Sequence, residues 1–429
     1  MGLLLRNACL FGREGRFNVV IEGDRITAVE PALDSEPPHG SHSLGAQPAY
    51  GSHGLDGGGV YGSAALRVLD LAGQTVLPAF VDAHTHLDKT LTADRIPNES
   101  CTLDEAVERY VEYFRTVSEE DIYERARRAA RMAVANGTGA MRTHIVVNAV
   151  DGLRFIRPIL ALREELRGEI DVQVVAFPLY GEEERKIRWV TEEALCLGAD
   201  VLGGCPSSEV DGRGFIDDMF ALAEKYGIPL DFHVDETDDP RVLMLEYLAE
   251  KTIGEGWQGR VTAGHCCSLS YVPQETADRV IAKVKEADLN IVTLPSCNMF
   301  LIGDRIRLSG RGITRVNELR LAGVNVAYAS DNVRDPFRPF GNADMLQEGL
   351  FTAQVIKKGY PRDLLEVLHM GTYAPARALQ LPDYGLEPGD YADLVVLAAP
   401  DPVEAILSQV PKNYVIHRGK IVASKVGQY

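Results

Sequence analysis

The sequence predicts an α/β protein that combines a (β/α)8 TIM-type barrel with a small β-sandwich domain formed by both chain termini. The first observation is a series of eight apolar runs separated by stretches of helical periodicity, which is typical of a parallel sheet buried on both faces. Eight such units in about 260 residues match a closed barrel. The last observation is that short alternating segments, typical of strands, occur at both ends of the chain.

Both ends of the chain contain short strand-like segments. Residues 1–33 contain the alternating pieces LLLRNACLFG, FNVVIEGD and RITAVEPAL, and the end of the chain contains GLEPGDYADLVVL and NYVIHRGKIVAS. These pieces resemble one another in length and alternation. We therefore expect residues 1–75 and 384–429 to form one β domain, with the barrel of residues 76–383 inserted between them.

Residues 34–66 differ in composition from their surroundings, since they are rich in Gly, Ser and Pro and include His39, His42 and His53. One interpretation is a tract that gathers a metal ion. Ordering a glycine-rich chain costs much conformational entropy, which favours a flexible surface insertion with incidental histidines.

The barrel strands follow from the apolar runs, which are VLPAFV (76–81), GAMRTHIVV (139–147), DVQVVAF (171–177), ADVLGG (199–204), PLDFHV (229–234), RVTAGHC (260–266), LNIVTL (289–294) and VNVAYAS (324–330). The intervening segments LDEAVERYVEYFRTV, FIDDMFALAEKY and ETADRVIAKVKEA have the spacing of amphipathic helices. A doubly wound open sheet is the competing fold. It is disfavoured because no GxGxxG follows the first strand.

Composition excludes several classes of protein. The 44 basic and 62 acidic residues leave a net charge of −18, and no basic cluster offsets it, so nucleic acid is not an expected partner. The seven cysteines form no CxxC pair, which argues against a disulfide framework and a thiolate zinc site. No run of 18 apolar residues and no secretory signal occur, so we expect a cytoplasmic protein without a membrane partner. Homo-oligomer formation is left open.

Residues with catalytic chemistry cluster at the ends of the predicted strands, where barrel enzymes place their active sites. The first run ends in DAHTHLDK, the fifth in HVDETDD, the sixth in GHCC and the eighth in SDN, and together they supply His84, His86, His233, Glu236, His265 and Asp331. No GxSxG nucleophile motif occurs in the chain. The pattern therefore favours chemistry at a metal ion over a serine nucleophile.

Each candidate ligand has a simpler interpretation when it is taken alone. His84 and His86 could face solvent at a sheet edge, His233 could be a hydrogen-bonded core residue, and Asp331 could cap a helix. Together they offer three imidazoles and one carboxylate, a set suited to a zinc or iron ion with an open position for water. Such an ion lowers the pKa of bound water towards about 7.

Two further residues are candidates for proton transfer. Glu236 lies three residues beyond His233 and could accept the proton of that water and return it to the leaving atom. Its alternative role is to interact with a helix dipole. His265 could hydrogen-bond the attacking oxygen or serve as a fifth ligand, or it could be satisfied by the backbone at its strand end.

The segments VLPAFVDAHTHLDKT, HVDETDDP, TAGHC and ASDNVRDPFRPFGNADMLQ together resemble the amidohydrolase superfamily, in its cytosine deaminase-like branch. The resemblance covers nearly the whole chain, including the split β domain. It implies one divalent transition metal ion per chain, zinc or iron, held by His84, His86, His233 and Asp331. It also implies that Glu236 shuttles protons, that His265 contacts the metal-bound hydroxide and that Asp331 accepts a proton from the water.

The residues that would read the substrate depart from the cytosine deaminase pattern. Leu179 stands where those enzymes have glutamine, Asn332 where they have a second aspartate, and Phe337 where they have tryptophan. Since a leucine cannot pair with a ring carbonyl, cytosine itself is disfavoured. We expect substrate contacts from Leu179, Asn298, Asn332 and Phe337.

The resulting prediction is a metal-dependent hydrolytic deaminase of an amino-substituted N-heterocycle of the cytosine or triazine type. The partner is then a small heterocyclic substrate. One alternative is a cyclic amide or imide hydrolase, which two ions per chain would favour. The other is a non-catalytic assembly protein related to amidohydrolases, which a failure to bind any transition metal would favour.

Overall fold

The structure is a computed structural model that describes residues 2–32, 59–61, 64–179, 184–303, 306 and 310–426. The chain divides into a terminal unit, Met1–Ala79 with Pro382–Tyr429, and a barrel unit, Phe80–Leu381. Of the predicted insertion at 34–66, residues 59–61 and 64–66 belong to strands, and the rest lies outside the described residues.

The strands of the described residues are β1 (Gly2–Leu10), β2 (Phe17–Glu22), β3 (Arg25–Pro31), β4 (Gly59–Tyr61), β5 (Ala64–Asp70), β6 (Thr75–Pro78), β7 (Phe80–Thr85), β8 (Thr138–Val147), β9 (Asp171–Pro178), β10 (Val201–Gly204), β11 (Leu230–Val234), β12 (Val261–His265), β13 (Asn290–Thr293), β14 (Asn325–Tyr328), β15 (Leu394–Leu397), β16 (Lys412–His417) and β17 (Lys420–Ser424).

The α-helices are α1 (Leu103–Phe114), α2 (Glu119–Ala135), α3 (Ile156–Leu166), α4 (Glu184–Cys196), α5 (Gly212–Tyr226), α6 (Met244–Gly254), α7 (Gln274–Glu286), α8 (Pro295–Leu301), α9 (Val316–Leu321), α10 (Met345–Val355), α11 (Pro361–Met370), α12 (Tyr373–Ala378) and α13 (Pro402–Ser408). In the part of the chain that the structure describes, none of them is long and apolar enough to cross a membrane.

The terminal unit is built around β1, which pairs antiparallel with β2 and parallel with β5 and β6. β6 in turn pairs with β15, so strands from both chain ends join in the order β17-β16-β15-β6-β1-β2-β3. Leu5, Ile21, Val76, Leu394 and Ile416 from these strands share one apolar core. The predicted pairing of the two termini in one β domain is confirmed.

The barrel unit contains eight parallel strands in the order β7 to β14, each hydrogen-bonded to its sequence neighbour. A parallel bridge between Thr85 and Asp331 joins the last strand region back to β7, which closes the ring. Because helices follow the strands, the strands are largely buried and rich in apolar residues, although buried polar side chains such as Asp82, Arg142 and Asp231 lie among them. The predicted (β/α)8 barrel is confirmed.

The helices begin and end where local side chains satisfy their free backbone groups. Thr102 accepts the amide of Glu105 at the start of α1, and Asp211 accepts the amide of Gly214 at the start of α5. α5 ends at Tyr226 and is capped by Gly227, whose φ of +69° lies in the left-handed region that favours glycine.

The first apolar run, 76–81, divides into two strands that belong to different units. Pro78 ends β6, which pairs antiparallel with β15, and Phe80 begins β7, which pairs parallel with β8. The amide of Ala79 donates to Asp393 and the amide of Phe80 donates to Gly137. The hydrophobic run does not reveal this change of partner, since both strands are completely buried.

Candidate active site

Three histidines and one aspartate lie at the carboxyl ends of barrel strands. His84 is the fifth residue of β7 and His86 follows that strand, so their side chains share one face. His233 lies near the end of β11, and Asp331 follows β14. Because these ends converge on the barrel axis, residues as far apart in sequence as His84 and Asp331, 247 positions, meet at one point.

The side chains of these four residues converge closely. The Nε2 atom of His233 lies 3.2 Å from Nε2 of His84 and 3.1 Å from Nε2 of His86. Oδ1 of Asp331 lies 3.7 Å from Nε2 of His84 and 3.3 Å from Nε2 of His86. All four residues are buried.

This arrangement fits a divalent transition metal ion. Both carboxylate oxygens of Asp331 are buried without a hydrogen-bond partner in the structure, a costly state unless another group satisfies them. Tetrahedral ligands at about 2.0–2.1 Å from zinc lie roughly 3.3 Å from one another, which is close to the separations found here. Three imidazole nitrogens and one carboxylate oxygen suit zinc or iron.

The protonation states also suit a metal ion. Burial lowers the pKa of His84 and that of His233 well below the usual value, which favours the neutral imidazole that binds metals. Burial would raise the pKa of Asp331, but its contact with His86 and the nearby imidazoles outweighs burial, and the pKa is lowered. The carboxylate is therefore ionised at neutral pH.

The tautomer of His86 follows from its second ring nitrogen. Nδ1 lies 3.1 Å from the backbone carbonyl oxygen of His144, an acceptor that requires a proton on Nδ1. Nε2 then presents its lone pair towards Asp331 and His233, which is the usual arrangement of a metal-binding histidine.

Glu236 and His265 form a second pair next to these four residues. Oε1 of Glu236 lies 3.2 Å from Nδ1 of His265, and the amide nitrogen of Asn298 lies 3.3 Å from Oε1 and 3.0 Å from Nδ1. Burial would lower the pKa of His265, but Glu236 outweighs it and the pKa is raised. The pair can therefore hold and pass a proton.

The backbone at these strand ends is strained. Asp235, His265, Cys266 and Asp331 have φ angles of +54°, +67°, +52° and +59°, a region that non-glycine residues rarely adopt. The amide of Asp331 donates to the carbonyl of His84 at 2.8 Å, which ties the strained residue to β7. Strain of this kind often occurs at functional sites.

A buried polar layer lies next to the histidines inside the barrel. Nη1 of Arg142 donates to Oδ2 of Asp231 at 2.7 Å, and the other oxygen of Asp231 lies 3.8 Å from Nε2 of His144. The rings of His144 and His84 lie 4.0 Å apart. Burial raises the pKa of Asp231 to about 6 despite the nearby Arg142.

The loop after β14 is held by Asp335. Its Oδ2 accepts a hydrogen bond from the amide nitrogen of Asn332 at 2.7 Å, and its Oδ1 accepts the backbone amides of Phe337 and Arg338 at 2.9 and 3.1 Å. Arg338 also donates to the carbonyl of Ser330 at 3.1 Å. These bonds fix the segment that carries Asp331 and Phe337.

A cavity of about 740 Å³ joins these groups. Its wall includes His86, His233, Glu236, His265 and Asp331, together with apolar side chains from α1 and β9. Of the expected substrate contacts, Leu179, Asn332 and Phe337 line the cavity. Asn298 does not line it and instead bonds to Glu236 and His265.

Several residues of this region were not predicted from the sequence, namely Lys89, Arg142, His144, Asp231 and Asp335. His144 had a signal, because it is a histidine inside the second apolar run, MRTHIVV. Lys89 had one as well, since it ends the motif DAHTHLDK. The pairing of Arg142 with Asp231 had no signal in the sequence, because the two residues lie 89 positions apart.

The sequence is similar to proteins of known family and activity. Residues 103–423 match the amidohydrolase family. The N-isopropylammelide isopropyl amidohydrolase of Pseudomonas sp. (strain ADP) is 33% identical over 433 residues, which cover 98% of this chain and 96% of that protein. The pterin deaminase of Rhizobium rhizogenes is 33% identical over 376 residues, which cover 85% of this chain and 84% of that protein.

A solved structure extends the similarity. The 5-methylcytosine deaminase from Klebsiella pneumoniae, liganded with 5-fluorocytosine, matches with a TM-score of 0.86 at 30% identity. The match covers 100% of this chain and 98% of that one. The similarity therefore includes the residues of both units.

Proposed function

We propose that this protein removes an amino substituent from an N-heterocycle of the cytosine or triazine type. The chain belongs to the amidohydrolase family and is a hydrolase acting on C–N bonds other than peptide bonds, and this reaction class supports the proposal. The observation that carries the proposal is the Glu236–His265 pair, 3.2 Å apart, on the wall of the cavity that also contains the three-histidine, one-aspartate cluster.

We assign one divalent transition metal ion, zinc or iron, to His84, His86, His233 and Asp331. The unsatisfied oxygens of Asp331 and the convergent Nε2 atoms support this assignment. When bound there, such an ion supplies Lewis-acid chemistry that lowers the pKa of water to about 7.

The protein's own groups supply the proton transfers of the reaction. Glu236 accepts one proton from the attacking water at its carboxylate and gives it to the ring nitrogen. The second proton of that water, left on the added oxygen, then passes through Glu236 to the amine, which leaves as the new C=O bond forms. His265 shares a proton with Glu236 through Nδ1, and its Nε2 has no hydrogen-bond partner in the structure. That nitrogen is therefore available to orient the attacking oxygen. The side-chain amide nitrogen of Asn298 donates to Oε1 of Glu236 and holds that carboxylate in place.

The cavity also supports the substrate class. Phe337 and Leu179 present apolar surface, and Asn332 offers an amide at the same wall. A flat ring can lie against Phe337, whereas Leu179 cannot hydrogen-bond a ring carbonyl. The relatives act, by their names, on N-isopropylammelide, pterin and 5-methylcytosine, all amino-substituted or alkylamino-substituted N-heterocycles.

The test is a screen for release of ammonia or an alkylamine by zinc-loaded and iron-loaded protein. The panel contains cytosine, isocytosine, amino- and alkylamino-triazines, pterins and creatinine, with hydantoin and dihydrouracil as cyclic amides. We expect release from at least one amino heterocycle and none from the Glu236→Gln variant. Hydrolysis of the cyclic amides alone would instead support the cyclic amidase alternative.

A further inference from the structure

Lys89 is a buried cation in the wall of the cavity. It follows β7 by four residues and is 7% exposed, and it lines the same cavity as His86, Glu236 and Asp331. The chain as a whole has a net charge of −18, so a lysine at this position is not part of a basic surface.

The backbone around Lys89 is held firmly. Thr92 Oγ1 donates to the carbonyl of Lys89 at 2.7 Å, and Thr90 Oγ1 donates to the carbonyl of Val333 at 3.0 Å. The second bond ties the loop to the segment that carries Asp331. The lysine therefore has a defined position relative to the active-site residues.

The ammonium group of Lys89 has aromatic neighbours, and no described carboxylate lies within ion-pair distance of it. Nζ lies 4.9 Å from the ring centre of Tyr110 and 4.6 Å from that of Phe337. No ion pair or side-chain hydrogen bond of Lys89 occurs among the residues that the structure describes. The closest acidic neighbour in sequence, Asp88, accepts the hydroxyl of Tyr110 instead.

A buried ammonium that forms no direct ion pair is unfavourable, and the cation–π contacts and the more distant carboxyl group of Asp335 offset only part of that cost. A purely structural role for Lys89 would be served better by an apolar side chain of similar length, such as methionine. A ligand anion that enters the cavity would complete the partners of the ammonium.

We propose that Lys89 selects substrates whose ring carries an anionic oxygen, either an ionised ring oxo group or a carboxylate substituent. This inference rests on the proposed function, because it assigns a substrate class to the same cavity. The ammonium lies 4.6 Å from the ring of Phe337, so a heterocycle against Phe337 can present its oxygen to Nζ. Neutral cytosine offers no such oxygen anion and is a poorer ligand.

The experiment measures binding rather than turnover, so that it does not depend on finding the true substrate. Zinc-loaded wild-type protein is titrated near neutral pH with two matched pairs of unreactive pyrimidines in a calorimeter. Uracil-5-carboxylate against thymine tests a carboxylate, and barbiturate against uracil tests an ionised ring oxo group. The variants are Lys89→Met, Lys89→Arg and, as an exposed control, Lys357→Met.

We expect the wild type to prefer the anionic member of at least one pair, and the pair that shows the preference identifies the source of the anion. Lys89→Met should weaken binding of that anion by about 10- to 100-fold, the usual worth of a hydrogen bond to a charged group. Binding of the neutral member should hardly change. Lys89→Arg should retain most of the preference, and Lys357→Met all of it.

Two outcomes would overturn the inference. One is a wild type that binds both members of each pair equally or binds neither. The other is a Lys89→Met variant that keeps the preference, which would assign the anion to the metal ion. If Lys89→Met does not fold, Lys89→Gln takes its place. Failure of the amine-release screen would refute the proposed function but would leave this binding result standing.

Discussion

Arg142 Nη1 lies 2.7 Å from Asp231 Oδ2, and both side chains are at most 1% exposed. The two residues belong to β8 and β11, which are not neighbours in the sheet, so the ion pair spans the barrel interior. The ring of His144, one face of which lies against His84, is adjacent to the same aspartate. The stability of the barrel and the position of the clustered histidines are therefore linked through this pair.

Breaking this ion pair should destabilise the protein strongly. Arg142→Met leaves Asp231 buried without its cation, and we expect the free energy of unfolding to fall by about 3–5 kcal/mol. The Arg142→Met, Asp231→Leu double variant should lose less, because no charge is left unpaired. Urea unfolding measures both.

A matched control exists on the surface. Arg377 pairs with Asp288 at 2.7 Å, but the two side chains are 50% and 37% exposed. Arg377→Met should cost only about 0–1 kcal/mol. A loss in Arg142→Met no larger than that in Arg377→Met would contradict the interpretation of the buried pair.

Replacing Glu236 with glutamine should separate proton transfer from metal binding. Glutamine keeps the shape of the side chain but cannot accept a proton, so kcat should fall by about 10²- to 10⁴-fold. Metal content, measured by elemental analysis, should stay at the wild-type value. Glu224→Gln, on the exposed face of α5, is the control. Turnover of Glu236→Gln near that of the wild type would exclude the proposed role.

Removal of the metal ion should lower both stability and activity. A chelator leaves the buried oxygens of Asp331 unsatisfied, and an ion present at about 1,000 times its Kd stabilises the folded state by about 4 kcal/mol. The thermal midpoint should therefore fall and recover when zinc or iron is added back. Asp331→Asn should not recover, whereas His369→Gln, which changes a histidine outside the cluster, should. An unchanged midpoint after complete removal of metal would count against the assigned site.

The stability of the barrel should depend on pH through Asp335. Burial raises the pKa of this carboxyl to about 7, although its bond from Asn332 lowers it. An unfolded aspartate titrates near pH 3.9, so the folded state retains the proton over a range in which the unfolded state loses it. The contribution of Asp335 is thus fully present below about pH 4 and declines as the pH rises to about 7, by up to about 1.4 kcal/mol per unit.

Asp335→Asn removes this titration while it keeps an acceptor for the amides of Phe337 and Arg338. The free energy of unfolding, from urea titrations between about pH 4 and pH 8, should fall less steeply with pH in the variant than in the wild type. Parallel curves over that range would show that Asp335 does not titrate there.

The hydrophobic pattern was sufficient to predict the fold. Seven of the eight apolar runs coincide closely with a barrel strand, and the first overlaps β7 only at its end, because strands buried on both faces are rich in apolar residues. The same pattern could not show that the run at 76–81 changes partner at Ala79, since β6 and β7 are equally buried. Which strand a buried segment joins depends on its neighbours in space.

The cluster of His84, His86, His233 and Asp331 was predictable for a related reason. Parallel strands of a barrel all end at one rim, so a histidine at a strand end is close to the others whatever its distance along the chain. The contacts of Asn298 could not be predicted from the sequence. This residue begins no strand, and only the geometry shows that its amide contacts Glu236 and His265.

The amino-acid sequence by itself determined which segments become barrel strands and which imidazoles and carboxylates gather at their ends, because burial and strand polarity are encoded locally. The tertiary structure alone decided that Arg142 meets Asp231 and that Lys89 faces the cavity beside Phe337 without an ion pair to any described carboxylate. The diameter of a closed barrel and the register of its strands set the distances between charged side chains on different strands, and so decide which of them form ion pairs. Those quantities exist only when all eight strands have come together.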